Sequence, residues 1–220
     1  ARALKLPGDE PVMLAAGFSI CGVSAVGAMS AARGTDAKDT GTPIALVTLY
    51  GTAAIAVLPA LAVPLGLDAG TFGHWVGASV HDVGQVVATA GTAGAAALAV
   101  AIVVKLTRVL MLAPMVAITS IGTRRRLAST GADAAAAKRP PIVPLFIVGF
   151  VALVLVRTFI PLPDAVLTIA ALVQSALLAA ALFAIGASLR LERLVREGPR
   201  ALLAGALSWI AILALAPNAF

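Results

Sequence analysis

About seven long apolar segments follow one another along this chain, and they constrain its fold more than any other feature. A helix that crosses the hydrocarbon core of a bilayer needs about 20 consecutive apolar residues, and most of the segments approach or reach that length. The sequence therefore predicts an all-α fold, a polytopic transmembrane helix bundle that forms a single membrane domain. The expected spans are 11–32, 42–66, 72–90, 93–121, 142–160, 165–189 and 201–216.

The composition agrees with a membrane location. The chain is 60% hydrophobic and only 12% charged, whereas soluble domains are about 45–50% apolar and about 25% charged. A single cysteine, Cys21, excludes an internal disulfide framework and a cysteine-rich metal site, and we expect no metal and no cofactor. Since the chain begins at Ala1 and shows no cleavable signal peptide, we expect a fragment or a processed chain.

Positive charge in two loops predicts the orientation. The 122–141 loop holds five basic residues and one acid, and the 190–200 loop holds four basic residues and two acids. Two predicted spans separate these loops, so the positive-inside rule places both in the cytoplasm, next to a bacterial inner membrane. Because they account for most of the net charge of +6, the basic balance indicates topology, and we expect no nucleic-acid partner.

The stretch GFSICGVSAVGAMS at residues 17–30 is apolar, yet nearly all its residues are small. Irregular backbone persists at membrane depth only where it is buried in protein or lines a wet cavity. Broken helices of this kind form the substrate sites of many secondary transporters. Close packing of helices through small residues explains the composition equally well, so the residues alone leave both interpretations open.

The 72–90 segment carries polar residues that an ordinary span rarely contains. On a helix, His81 and Gln85 are four residues apart, and Ser79, Asp82 and Gln85 follow at intervals of three, so they share roughly one face. Ionisable groups at membrane depth are costly and usually face a cavity or a partner. We expect His81 and Asp82 to serve proton or ion coupling, and Ser79 and Gln85 to bind substrate. The alternative is a structural hydrogen-bonded pair or a position near the membrane surface.

This segment either crosses the membrane fully or re-enters on the side from which it came. Re-entry would place the 33–41 loop in the cytoplasm, and the positive charges of Arg33 and Lys38 favour that location. The preference is weak, because Asp36 and Asp39 balance these charges.

Lys105 and Arg108 lie one helical turn apart in IVVKLTRVLMLAPM. Arg108 could reach an interface by extending its side chain, but Lys105 is near the middle of the 93–121 segment. Two interpretations stay open. The pair supplies positive charge to an anionic substrate, or Lys105 forms a structural ion pair, for which Asp82 is the nearest intramembrane carboxylate in sequence.

Four motifs, in order, resemble those of the YeiH-like family of bacterial membrane proteins: GFSICGVSA, LYGTAAIAVLP, GHWVGASVHDVGQVVATA and VKLTRVLMLAP. Sulfate export is the function assigned to members of that family, by inference. The members are longer at the N-terminus, so the chain resembles their C-terminal two-thirds. The family is grouped with transporters of the antiporter and bile-acid-symporter type, which have broken helices that cross. Asp82 stands where the family usually has glutamate, which shortens its reach.

The resemblance implies a secondary transporter that exports a small anion such as sulfate or a sulfonate, with proton coupling. It favours the broken helix over close packing and narrows the substrate-facing residues of that stretch to Ser19, Cys21, Gly22 and Ser24, beside Lys105 and Arg108. The alternatives are a sodium-coupled organic-anion transporter and a membrane-embedded enzyme or assembly subunit. Because the phosphate-loop, dinucleotide-binding and HExxH motifs are missing, we expect no enzyme. The expected partners are the anion, the lipid bilayer and, as an open question, further copies of the chain.

Overall fold

The computed structural model describes residues 6–36, 38–129, 145–188 and 199–216, and the regular elements in these ranges are all helices. The predicted all-α class is therefore confirmed for the described part of the chain, and every predicted segment corresponds to one or two helices. The helices are α1 (Glu10–Ser19), α2 (Val23–Arg33), α3 (Lys38–Ala62), α4 (Ala69–Ser79), α5 (Val83–Gly91), α6 (Ala95–Leu110), α7 (Leu112–Ser129), α8 (Leu145–Phe159), α9 (Asp164–Ser188) and α10 (Pro199–Leu215).

Two stretches of helix in the described ranges are long and apolar enough to cross a membrane. They are Asp39–Ala62, and Ala95–Arg125, which combines α6 with most of α7. Pro114 lies in the first turn of α7 and has no amide hydrogen to donate one turn back, which accounts for the interruption at Met111. Much of the two predicted cytoplasmic loops, at 130–144 and 189–198, lies outside the described residues.

The first predicted span is a helical hairpin, so the prediction of one span over residues 11–32 is wrong. Arg33 at the end of α2 forms an ion pair with Asp9, which precedes α1, with 2.7 Å between Nη2 and Oδ1. Midway along the hairpin, a Cβ added to Gly17 would lie 3.0 Å from Val26 Cγ2. The chain therefore enters along α1, reverses at residues 20–22 and returns along α2.

The 72–90 segment is a second hairpin, as the re-entrant alternative requires. One cavity is lined by Ala69 and Phe72 from the start of α4 and by Thr92 and Ala93 from the end of α5. Since both ends of the segment lie at this cavity, α4 and α5 run in opposite directions. The reversal occurs at residues 80–82, and Val80 and Asp82 are extended there.

The two hairpins approach each other from opposite ends of α3. The Asp9 amide at the open end of the first hairpin donates to the Asp39 carboxylate, at the start of α3. Pro59 and Ala62, at the end of α3, line the cavity at the open end of the second hairpin. The tips therefore meet between the ends of α3. This arrangement corrects the expectation of crossing broken helices, in which each half would continue in the same direction.

Helix α6 packs against α4 through small residues that recur every four positions. A Cβ on Gly73 would lie 2.4 Å from the Ala97 carbonyl oxygen, and one on Gly77 would lie 2.5 Å from the Ala101 carbonyl oxygen. Only glycine permits so close an approach of two backbones. The paired numbers rise together, so the helices are parallel, and the next position on α6, Lys105, is level with the tip of the second hairpin.

Candidate functional site

The two hairpin tips contact each other at Gly22 and His81. Gly22 has φ 62° and ψ −127°, in the positive-φ region that favours glycine, and a Cβ there would lie 3.6 Å from the backbone and Cβ of His81. The break that the resemblance implies for residues 17–30 is therefore confirmed, and it lies between Ser19 and Val23. At this break the first tip contacts the tip of the second hairpin, which carries the predicted site residues His81 and Asp82.

Lys105 holds the two tips together through backbone carbonyls. Its ammonium donates to the Ile20 carbonyl (3.0 Å) on the first tip, to the Val80 carbonyl (2.9 Å) and to the His81 carbonyl on the second. The side chain is fully buried, and an ammonium has three N–H donors. All three donors of Lys105 bind these carbonyls, which favours a structural role for the side chain. Direct contact between Lys105 and a substrate stays a prediction.

Arg108, one turn further along α6, contacts the same two hairpins. Its Nε donates to the Ser19 carbonyl (3.1 Å) and its Nη2 to the Phe18 carbonyl (2.9 Å), while Nη1 donates to the Ala78 carbonyl (2.5 Å). These carbonyls belong to the last turns of α1 and α4, where helices lack internal partners and carry partial negative charge. The described residues use three of the five guanidinium donors, so within this part of the chain Arg108 keeps capacity for a further acceptor.

Asp82 caps α5, and no ion pair joins it to Lys105 in the described residues. Its carboxylate accepts from the Gly84 amide (2.8 Å), and Gln85 Oε1 accepts from the Asp82 amide (3.3 Å), which is a capping-box arrangement. The Lys105–Asp82 ion pair is therefore wrong, because carbonyls surround the ammonium and the carboxylate serves its own helix. Asp82 is partly exposed and stays a prediction for ion coupling.

Gln85 is buried against α3 rather than facing an open cavity. Its Nε2 lies 3.4 Å from the Thr48 carbonyl and 3.4 Å from Thr52 Oγ1. A Cβ on Gly51 would lie 2.0 Å from Gln85 Oε1, so Gly51 makes the room that the amide occupies. Ser79 is buried as well, and its hydroxyl donates to the Trp75 carbonyl of its own helix (2.5 Å). The hydrogen bonds of these two side chains therefore explain their presence without a substrate.

His81 is fully buried, and neither ring nitrogen makes a hydrogen bond within the described residues. Its ring packs on Phe18 with 4.5 Å between the two ring centroids. An imidazole carries one donor and one acceptor when neutral, and leaving both unmade at such depth is unfavourable. His81 is therefore, like Arg108, a polar group of the junction with unused bonding capacity among the described residues.

The remaining predicted residues lie around the first tip. Ser19 and Ser24 are exposed, and Cys21 is buried with its thiol against the amide of Ala25 in the first turn of α2. Gly22 is the N-cap residue of α2, and no side chain caps this helix end among the described residues. The structure thus brings both tips, Lys105 and Arg108 to one junction. The packing roles of Gly51, Gly73 and Gly77 were not predicted from the sequence, although the spacing of four between Gly73 and Gly77 in α4 is typical of close helix packing.

Comparison with known proteins identifies the family. The chain is 40% identical to a UPF0324 membrane protein of Corynebacterium glutamicum over 97% of its own length and 61% of the relative's. For the UPF0324 membrane proteins of Agrobacterium fabrum and Geobacter sulfurreducens the identities are 34% and 32%, over 95% and 97% of this chain and 58% and 65% of theirs. The chain thus spans about three fifths of the length of these relatives, and its placement in their C-terminal part stays a prediction.

No solved structure matches the chain. The family model described as conserved hypothetical protein 698 matches residues 1–205. Together with the curated relatives and the apolar helices, this match shows that the chain is a membrane protein and belongs to the conserved hypothetical protein 698 family.

Proposed function

We propose that the protein is a secondary transporter that exports a small anion, such as sulfate or a sulfonate, across the bacterial inner membrane. The observation that carries the proposal is the junction of two opposed hairpins, with buried charge where their tips meet. Non-helical backbone at membrane depth is tolerated only where protein buries it or where it lines a cavity. Transporters place such helix breaks at their substrate sites.

The charge of the junction favours an anion. Lys105 and Arg108 bring two positive charges, and Asp82 brings one negative charge that caps α5. The N-terminus of α2, which carries partial positive charge, has no side-chain cap, and the exposed Ser24 lies in its first turn. A sulfate or sulfonate oxygen there would accept from the Ser24 hydroxyl and from the donors that Arg108 keeps. Ser19 extends the same polar rim on the first tip.

Proton coupling is assigned to Asp82 and His81. Asp82 is the partly exposed carboxylate of the junction, and His81 has unused donor and acceptor capacity. Protonation of either would raise the positive charge beside the bound anion and strengthen its binding. Release of the proton would weaken that binding, so the proton and the anion would bind and leave together.

The test is flux of labelled sulfate and of an alkyl sulfonate in proteoliposomes of the purified protein with an imposed pH gradient. We compare Ser24→Ala with Ser175→Ala, which removes an exposed serine hydroxyl that donates to its own helix on α9. Losing one substrate hydrogen bond is expected to lower flux at subsaturating anion about 2- to 10-fold in Ser24→Ala. Ser175→Ala is expected to match the wild type.

A third variant, Asp82→Asn, keeps a cap for α5 but cannot titrate, so its flux should respond less to the pH gradient. Equal flux in Ser24→Ala and wild type would refute the placement of the anion at α2. The absence of flux for every tested anion would refute the transport proposal itself.

A further inference from the structure

Three carbonyl oxygens from two separate hairpin tips converge on a single buried point. They belong to Ile20 on the first tip and to Val80 and His81 on the second, and the Lys105 ammonium occupies the point where they meet. The Nζ–O distances to Ile20 and Val80 are 3.0 and 2.9 Å. Lys105 is 1% exposed, so bulk solvent does not reach this point.

Such a set of ligands is the kind that binds a dehydrated monovalent cation. Selectivity filters hold K⁺ with backbone carbonyls that replace its hydration shell. Divalent cations such as Ca²⁺ and Mg²⁺ are bound through carboxylates, and among the described residues no carboxylate lies within ion-pair distance of Lys105. An ammonium group carries the same charge as K⁺ and satisfies the same oxygens.

We propose that these three carbonyls form a monovalent-cation site that the protein fills with its own Lys105 ammonium. The side chain then replaces an ion from solution, and the two tips stay joined whatever the Na⁺ or K⁺ concentration. Removing the ammonium leaves the oxygens in place and opens a volume next to them. A free K⁺, Na⁺ or ammonium ion is expected to enter that volume and to replace the contacts that the ammonium makes with both tips.

The close packing of α4 on α6 is what positions the ammonium. Gly77 on Ala101 sets the register, and Lys105 follows four residues later, level with the second tip. Because the packing does not depend on the lysine, the carbonyl set is expected to survive its removal. The inference goes beyond the proposed function and does not depend on which solute is transported.

The experiment compares the thermal stability of the wild type and Lys105→Ala, purified in detergent, in KCl, NaCl, ammonium chloride and choline chloride at equal ionic strength. Choline is too large for the site and serves as the reference cation. We expect the wild type to melt at the same temperature in all four salts. Lys105→Ala should melt lower in choline chloride and should recover part of the loss, with a saturable dose response, in at least one of the others.

Leu112→Ala is the matched control. Leu112 is a fully buried apolar side chain on α7, in an apolar cluster with α1 and α2. Its truncation also opens a cavity, but an apolar one, which does not attract an ion. We expect the same melting temperature for this variant in all four salts.

A second variant, Lys105→Gln, covers the case in which Lys105→Ala does not fold. Its amide can donate to two of the carbonyls, and we expect a smaller but cation-specific recovery. Melting temperatures of both variants that do not distinguish K⁺, Na⁺ and ammonium from choline would overturn the proposal. Failure to purify either variant as a folded protein in any of the salts would also overturn the proposal, since a cation from solution would then not replace the ammonium. This experiment does not measure anion flux. A negative result here therefore leaves the transport proposal untouched, and the flux assay tests that proposal separately.

Discussion

The substitution Gly77→Ala tests whether close backbone packing positions the cations at the junction. The added Cβ would lie 2.5 Å from the Ala101 carbonyl oxygen and 2.9 Å from Val104 Cβ. Carbon–oxygen contacts between packed helices are tolerated at about 3.3 Å, so α6 must move away from α4 by about 0.8 Å near Ala101. The neighbouring atoms are backbone and Cβ atoms, which cannot rotate out of the way.

A displacement of this size affects Lys105 as well as the helix contact. The bond from Lys105 to the Val80 carbonyl is 2.9 Å long, and lengthening it by about 0.8 Å takes it beyond hydrogen-bonding distance. Overpacking costs about 1–3 kcal/mol, and a lost bond from a charged donor costs about 1.5–3 kcal/mol. The better helix propensity of alanine returns up to about 1 kcal/mol. The free energy of unfolding should therefore fall by about 2–5 kcal/mol.

The matched control is Gly27→Ala, the same chemical change in the middle of α2. A Cβ at Gly27 meets nothing within 4 Å, so the variant should gain stability by up to about 1 kcal/mol. Denaturant unfolding in detergent, followed by tryptophan fluorescence, measures both changes. Trp75 reports on α4 itself, two residues before the substitution. If Gly77→Ala unfolds no more readily than Gly27→Ala, the close contact does not position α6, and the account of how Lys105 reaches the tips is wrong.

Three further predictions concern single side chains. Asp82→Ala should lower the free energy of unfolding by about 1 kcal/mol through loss of the α5 cap, whereas Asp82→Asn should leave it nearly unchanged; equal losses in denaturant titrations would show that charge, not capping, is what matters. His81→Leu should be as stable as the wild type or more so, because it removes two buried ring nitrogens that have no hydrogen-bond partner among the described residues; a clear fall in melting temperature would show that those nitrogens bind a group such as water. At the start of α4, hydrogen bonds from Thr71 hold the pKa of Asp68 below its ordinary value. The stability they provide is present above the ordinary pKa and is lost as the pH falls through the folded pKa, so acid unfolding curves should show a contribution that Asp68→Asn lacks.

The sequence was sufficient for the class of protein, because the apolar segments follow from hydropathy. The break in residues 17–30 followed only from the family resemblance, and the re-entrant alternative for residues 72–90 followed from the charges of the 33–41 loop. Hydropathy could not tell that residues 11–32 form a hairpin, because 22 apolar residues suffice for one span or for two helices of half the length. The decision rests on the pairing of Asp9 with Arg33, and a single sequence contains no mark of that pairing.

The partners of the buried cations were beyond sequence reasoning for a different reason. Burial of Lys105 was predictable from its position, and a carboxylate was the natural partner to seek. Its actual partners are the main-chain oxygens of Ile20, Val80 and His81. Every residue has such an oxygen, so they leave no pattern of residue types along the chain, and only the folded backbone brings them together.

The opposed hairpins also explain why two cations belong on α6. Each hairpin brings one helix C-terminus and one helix N-terminus to its tip, so the junction collects two ends of partial negative charge and two of partial positive charge. Lys105 and Arg108 bind the carbonyls of the C-terminal ends of α1 and α4 and of the turns that follow them. Asp82 caps the N-terminus of α5. The N-terminus of α2 has no side-chain cap among the described residues, so it is the helix end at the junction that no side-chain oxygen caps. An anion at that end would complete the set, which is why the proposed substrate is negatively charged even though the lysine itself has no donor left to offer it.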